Sequence, residues 1–222
     1  MGQMIKIKSN AADDFEFSAY HAAPAGHRHG GVVVVQEIFG LDEHIRRDVD
    51  RWADLGFEAI APSLYDRREP GFVSAHSPEG MQAGIGHARA SDLDVALADI
   101  GACRDRMNGP IYVVGYCYGG SLAWLAAAKL NGLSGASCYY GSMIAANATL
   151  VPKCQTIVHL GRKDAGIPCD EVKAAVQATN PNVEVYIYDD AGHGFNNEDP
   201  ARLNEASATL ARQRTLALFG VA

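Results

Sequence analysis

The chain has 222 residues, of which 48% are hydrophobic and 20% are charged. This balance is typical of a folded globular protein and excludes a disordered or collagen-like chain. Lys and Arg total 19 against 26 Asp and Glu, a net charge of −7 without any basic run, so neither a nucleic acid nor an anionic membrane is expected as a partner.

Five scattered cysteines without a C-x-x-C pair predict free thiols, and no apolar segment resembles a signal peptide or a bilayer span. We therefore expect one cytoplasmic domain over residues 1–222; the oligomeric state is left open, with a monomer allowed.

The first part of the chain predicts strands and helices in alternation. Strands are predicted at residues 5–7, 15–20, 31–36 and 57–61, and a helix capped by Asp42 ends at Gly56. The alternation of Phe15, Phe17 and Ala19 is typical of an edge strand. Residues 62–90 are less regular: a helix can begin at residues 77–79, but the glycines at 80, 84 and 86 are expected to weaken it.

The rest of the chain has a clearer pattern. Further strands are predicted at residues 111–115, 136–140, 156–160 and 183–188, and further helices from residue 91, at 120–130, at 170–178 and at 201–218. Strands that alternate with crossovers of helical length predict an α/β protein with a mostly parallel sheet and helices on both faces. Reactive groups in such a protein lie on the loops that follow the carboxyl ends of the strands.

One of these loops carries a candidate nucleophile. The segment Gly115-Tyr-Cys-Tyr-Gly-Gly120 joins a predicted strand directly to a predicted helix and contains G-x-C-x-G, the thiol form of a nucleophile elbow. So tight a turn forces strained backbone angles on Cys117, and it requires small residues at Gly115 and Gly119. The N-terminus of the following helix favours a thiolate. Taken alone, the motif also fits a buried structural thiol.

Two later loops supply an acid and a base. Asp164 follows the strand at 156–160, and His193 follows the strand at 183–188. The order Cys117, Asp164, His193 is that of the α/β-hydrolase fold. In this chemistry the histidine moves protons, while the carboxylate fixes its tautomer and stabilises the imidazolium. Each residue alone could be a turn or cap residue, but the ordered set predicts a Cys-His-Asp triad.

The chain resembles the dienelactone hydrolase (carboxymethylenebutenolidase) family over essentially its whole length. The matching segments are QEIFG at 36–40, APSLY at 61–65, GYCYGG at 115–120, GRKD at 161–164 with Pro168, and GHGF at 192–195. The resemblance implies an α/β-hydrolase that opens enol lactones or cleaves activated esters with Cys117, Asp164 and His193. It also implies an oxyanion hole made by the N–H groups of Ile38 and Tyr118, in agreement with the geometry of an elbow.

The same resemblance places Glu37 beside the catalytic thiol. A nearby carboxylate disfavours the thiolate form of a cysteine. We therefore interpret Glu37 as a gate that keeps Cys117 neutral and resistant to oxidation until substrate displaces the carboxylate. The other interpretation of Glu37 is an idle, exposed charge at the end of a strand.

The substrate is only partly indicated. A thiolate is a better leaving group than an ordinary alkoxide, so forward collapse of the tetrahedral intermediate favours enolate, phenolate or thiolate leaving groups. Family members that cleave dienelactone hold its carboxylate with an arginine four positions after the histidine, where this chain has Asn197. Candidates for the second cationic anchor are Arg67, Arg68 and Arg89, and candidates for the pocket wall are Phe39, Tyr65 and Tyr118. Specificity for dienelactone itself is therefore in doubt.

No sequence pattern calls for a cofactor or a metal, and the expected partner is a small lactone or ester. Two alternatives stay open. One is a general thiol-dependent esterase or thioesterase without a role in dienelactone cleavage. The other is a catalytically silent protein of the same fold that binds a ligand or senses redox state.

Overall fold

The computed structural model describes residues 1–221. The chain divides into two compact units, Met1–Val113 and Val114–Ala222; that they form a single domain stays a prediction. All five cysteines are free thiols, as expected. Within the described residues, no helix is long and apolar enough to span a bilayer.

The first unit is built from strands and helices in alternation. Its elements are β1 (Gln3–Lys8), β2 (Glu16–Ala22), β3 (Gly30–Val35), α1 (Glu43–Asp54), β4 (Phe57–Pro62), α2 (Pro78–Ala90) and α3 (Leu93–Asp105), and it ends in the first residues of β5 (Ile111–Tyr116). The strands are ordered β1-β2-β4-β3. The β1–β2 and β2–β4 pairs are antiparallel, whereas β3 and β4 are parallel.

The edge position predicted for residues 15–20 is wrong, because β2 lies between β1 and β4. Its alternation has another cause. Phe17 and Ala19 are fully buried while Glu16 is exposed, so only one face of this interior strand is fully covered.

The core of the first unit follows from its apolar pattern. All six residues of β3 are buried, and α1 and α3 both pack against β3 and β4. The predicted apolar face of α1, Ile45, Val49 and Trp52, is fully buried. The Asp42 carboxylate accepts a hydrogen bond from the Ile45 N–H at 3.0 Å, as expected for a helix cap.

Helix α2 is more complete than its glycines suggested. It runs over 13 residues, and the Ser77 hydroxyl caps it by accepting a hydrogen bond from the Gly80 N–H at 3.2 Å. Gly84 meets a packing requirement, since a Cβ at this position would lie 2.3 Å from the Ile38 carbonyl oxygen. The glycine therefore lets α2 approach the loop that follows β3, which outweighs its low helix propensity.

The second unit begins with the last residues of β5 and continues the alternation. Its elements are α4 (Tyr118–Lys129), β6 (Gly135–Tyr139), a short 3₁₀ turn (Ala145–Asn147), β7 (Gln155–Gly161), α5 (Cys169–Thr179), β8 (Glu184–Tyr188) and α6 (Glu205–Leu218). The strands are ordered β5-β6-β7-β8, and the β6–β7 and β7–β8 pairs are parallel. The predicted α/β class with mostly parallel strands is confirmed.

Two helix starts differ from the sequence expectation. Helix α4 begins at Tyr118 rather than Gly120, because the chain enters it directly from Cys117. Helix α6 begins at Glu205 rather than Ala201, because Asn204 supplies its cap by accepting a hydrogen bond from the Ser207 N–H at 3.0 Å.

Candidate active site

Cys117 stands at a strained turn between β5 and α4. Its φ of 56° and ψ of −113° are rare for a residue with a side chain and cost about 1–3 kcal/mol. Two backbone hydrogen bonds hold this conformation. The Cys117 N–H donates to the Tyr139 carbonyl at 3.1 Å, and the Cys117 carbonyl accepts from the Ser121 N–H at 3.1 Å. The half-exposed thiol thus projects from a rigid support.

The glycines around Cys117 make this turn sterically possible. A Cβ on Gly115 would lie 2.0 Å from the Gly119 carbonyl oxygen, and one on Gly120 would lie 2.1 Å from the Tyr139 carbonyl oxygen. Backbone carbonyls cannot yield to such contacts without shifting the whole turn. The small residue expected at Gly115 is therefore required by packing.

Asp164 and His193 meet in the same unit. The Asp164 Oδ2 lies 2.6 Å from the His193 Nδ1, and the Asp164 Oδ1 accepts a hydrogen bond from the Gly166 N–H at 2.8 Å. Asp164 lies in the turn after β7 and is buried, whereas His193 lies in the loop after β8 with its side chain 36% exposed. Since the buried Asp164 carboxylate accepts a hydrogen bond here, Nδ1 of His193 carries a proton.

The Cys117 side chain also interacts with His193 and raises the pKa of its imidazole. Because Asp164 occupies Nδ1, Nε2 is the ring nitrogen left for the sulfur. All three predicted residues, Cys117, Asp164 and His193, thus lie in the second unit, and their action as a triad stays a prediction. Tyr118 is the first residue of α4, so its N–H is among the helical donors without an intrahelical acceptor.

The charge state of His193 follows from these contacts. Burial alone would lower the pKa of the imidazole, but the hydrogen bonds and charges of Asp164 and Cys117 outweigh it and raise the pKa of His193 from 6.5 to about 10. The imidazolium is therefore favoured at neutral pH. A cation beside the sulfur stabilises a thiolate.

The predicted residues of the first unit lie on the loops that follow β3 and β4. Glu37 is 1% exposed, which excludes the interpretation of an idle surface charge. The side-chain amide of Gln36 joins the two loops: it donates to the Glu37 carbonyl at 3.3 Å and accepts from the Leu64 N–H at 3.1 Å. The roles predicted for Glu37 and for the Ile38 N–H stay predictions.

Two aromatic side chains of these loops are also buried. Phe39 stacks on the His76 ring at 4.0 Å, and Tyr65 contacts the rings of Phe72 and His87 at 5.6 and 5.2 Å. Both rings pack within the first unit, and their contact with substrate stays a prediction.

Arg67 is not available as a substrate anchor. Its guanidinium pairs with Asp13 at 2.7 Å and with the buried Asp99 at 2.5 Å. The Asp99 carboxylate also accepts a hydrogen bond from the Ser9 hydroxyl at 2.5 Å. This network ties the segment before β2 to α3, which gives Arg67 a structural role and opposes the prediction that it binds substrate.

Asn197 has a local structural role as well. It is 2% exposed, its Oδ1 accepts a hydrogen bond from the Asp199 N–H at 3.0 Å, and its N–H donates to the Gly194 carbonyl at 2.8 Å. A neutral amide that shapes the histidine loop provides no positive charge for a substrate carboxylate.

One residue near the triad was missed from the sequence. The Tyr140 ring lies 4.9 Å from the His193 ring, and the Tyr140 backbone has a φ of 36°. The only local signal is its place at the end of β6, beside Gly141.

No group of three or more His, Cys, Asp or Glu side chains in residues 1–221 is arranged to hold a metal ion.

We expect the His193 imidazolium to persist well above pH 6.5 and to titrate near pH 10. Histidine ¹³C NMR checks this, with the signal assigned by its loss in His193→Gln. Because the folded pKa exceeds the ordinary value, this charge stabilises the fold fully below pH 6.5, and that contribution is lost as the pH rises to about 10.

Asp164→Asn should lower the pH midpoint of the His193 titration, because the main favourable partner of the imidazolium is removed. The exposed carboxylate of Asp170 offers a matched control, and Asp170→Asn should leave the midpoint unchanged. A wild-type midpoint below pH 7 would contradict this account of the site.

Comparison with known proteins identifies the family of this chain. The sequence model of the dienelactone hydrolase family matches residues 17–222. The carboxymethylenebutenolidase of Pseudomonas putida is 29% identical over 221 residues, which cover 95% of this chain and 93% of that protein. A candidate carboxymethylenebutenolidase of Yersinia pestis is 32% identical over 222 residues, covering 92% of this chain and 83% of that protein.

A solved structure agrees with these relatives. The crystal structure of a candidate dienelactone hydrolase from Klebsiella pneumoniae subsp. pneumoniae MGH 78578 matches with a TM-score of 0.83 at 30% identity, covering 99% of both chains. The resemblance and the α/β-hydrolase fold expected from the sequence are confirmed. The chain therefore belongs to the dienelactone hydrolase family, and it is a hydrolase.

Proposed function

We propose that this hydrolase cleaves activated carboxylic esters, enol lactones among them, through a thioester on Cys117. The observation that carries the proposal is the position of the His193 ring, which hydrogen-bonds to Asp164 at 2.6 Å and also interacts with the Cys117 side chain. The proposed nucleophile, the base and the group that orients the base thus follow one another in space.

In the first half-reaction, the Cys117 thiolate attacks the carbonyl carbon and a C–S bond forms. The developing oxyanion is stabilised by the Tyr118 N–H at the start of α4, and by the Ile38 N–H as the resemblance implies. The C–O bond then breaks, and the His193 imidazolium gives its Nε2 proton to the leaving oxygen. An open-chain ester gives an acyl-enzyme and a released alcohol or phenol. An enol lactone gives an acyl-enzyme whose acyl group still carries the protonated enol.

In the second half-reaction, the charge on the sulfur is gone. The raised pKa of His193 rests partly on Cys117, so acylation lowers it and favours the neutral imidazole. That imidazole takes a proton from water, the resulting hydroxide attacks the thioester, and the C–S bond breaks. Thiolate and imidazolium are restored together with a carboxylic acid product.

The leaving group and the available charges define the substrate class. Thiolate expulsion competes with loss of an alkoxide, so a stabilised enolate or phenolate leaving group is favoured. Arg67 is held by two carboxylates, and Asn197 is neutral. We therefore place neutral activated esters and lactones in the substrate class and expect no strong preference for a carboxylated substrate.

Cys117→Ala should reduce turnover of p-nitrophenyl acetate or an enol lactone to background, because no acyl-enzyme can form. Cys154 supplies the matched control, since this second half-exposed thiol precedes β7 at the end opposite to Asp164. Cys154→Ala should retain wild-type kcat. Activity retained in Cys117→Ala would refute the assignment of the nucleophile.

Comparing kcat/KM for a carboxylated lactone and a neutral lactone tests the substrate class. A charged hydrogen bond contributes about 1.5–3 kcal/mol, or about a 10- to 100-fold preference. Without such an anchor, the two values should differ by less than about tenfold. A hundredfold preference for the carboxylated lactone would show that another cation binds it.

The proposed gate at Glu37 makes a separate prediction. If the carboxylate suppresses the thiolate, iodoacetamide labels Cys117 slowly in the wild type and faster in Glu37→Gln. If the His193 imidazolium alone sets the state of the thiol, the two labelling rates are equal and the gate is excluded. Labelling followed by peptide mass spectrometry distinguishes Cys117 from the other cysteines.

A further inference from the structure

The end of β6 contacts the strained turn that carries Cys117. The Tyr139 carbonyl accepts the hydrogen bond from the Cys117 N–H at 3.1 Å, and the next amide, that of Tyr140, donates to the His159 carbonyl of β7 at 2.8 Å. A Cβ on Gly141 would lie 2.6 Å from the Ser121 amide nitrogen in α4. The segment 139–141 is therefore fixed against both the nucleophile turn and the neighbouring strand.

Tyr140 extends from this fixed segment to the histidine loop. Its fully buried ring lies 4.9 Å from the His193 ring and 5.5 Å from the Phe195 ring. Its hydroxyl donates a hydrogen bond to the Oδ1 of Asn196. One side chain thus contacts residues 193, 195 and 196 of the loop.

The backbone of Tyr140 shows why this contact is possible. Its φ of 36° is in the left-handed region, which residues with a Cβ rarely adopt. The preceding residue, Tyr139, forms a hydrogen bond between its hydroxyl and that of Thr215 in α6 at 2.9 Å. The left-handed turn directs the next ring to the histidine loop, and such strain persists where surrounding contacts require it.

We propose that Tyr140 is a positioning residue that holds the His193 loop in register with Cys117. The inference rests on the proposed function, since it assigns His193 its role toward the sulfur. The hydrogen bond to Asp164 fixes one ring nitrogen of His193 but leaves the tilt of the ring open. The Tyr140 ring and its bond to Asn196 restrict that tilt and the path of the loop, so that Nε2 stays directed at the sulfur.

The mild test removes only the hydroxyl contact. Tyr140→Phe and Asn196→Ala should each lower kcat about two- to tenfold, the range for one hydrogen bond, with little change in KM. The double variant should be no slower than the single ones, because both remove the same interaction. Tyr186→Phe also removes a hydroxyl bond, to Glu184 on β8, and should leave kcat unchanged.

The stronger test removes the ring. Tyr140→Leu should lower kcat about a hundredfold, as a misplaced catalytic group does. It should also shift the NMR titration of His193 downward, because the contacts to Asp164 and Cys117 loosen. A merely structural role would not move this titration. If Tyr140→Leu does not fold, the two mild variants decide alone.

Two sets of results separate this inference from the proposed function. If Cys117→Ala is inactive but Tyr140→Phe and Asn196→Ala keep wild-type kcat and His193 titration, the positioning role is overturned while the nucleophile stands. If Cys117→Ala remains active, the proposed function fails first and the positioning role fails with it.

Discussion

The 2.6 Å hydrogen bond between Asp164 and His193 fixes the orientation of the His193 imidazole, and the proposed proton transfers depend on that orientation. The bond assigns the proton to Nδ1 and leaves Nε2 for the thiol. It also contributes to the raised pKa of His193. Loss of this bond would disturb the tautomer and the charge of the base together, whatever the state of Cys117.

The strain in the second unit is concentrated next to this bond. Cys117 and Tyr140 are both non-glycine residues with positive φ, at 56° and 36°. Both follow buried strands, β5 and β6, whose hydrogen bonds hold the chain on one side of each turn. Backbone strain of this kind persists only in rigid surroundings, and it is common at active sites and ligand-binding sites. The strands supply the stability that maintains these strained turns.

Local pattern and chain order in the sequence were sufficient to predict the buried strands and the loops that carry the candidate site residues. Continuous apolar runs identified buried strands such as β3, and Cys117, Asp164 and His193 follow β5, β7 and β8, as the predicted strands implied. Contacts distant in sequence could not be read in this way. The partner of Gly84 is the Ile38 carbonyl, and the partners of Arg67 are Asp13 and Asp99, which no periodicity reveals. Tyr140 was missed for the same reason, because its significance depends on a backbone angle and on a loop more than 50 residues away.

Covalent capture of the acyl group shows whether Cys117 is the nucleophile. The enzyme is mixed with excess activated ester, quenched in acid within the first turnovers, digested and analysed by mass spectrometry. We expect the acyl mass on the peptide that contains Cys117, and we expect hydroxylamine to remove it, as it does from a thioester. Rapid product formation without any adduct on Cys117, or with the adduct on another side chain, would contradict this expectation.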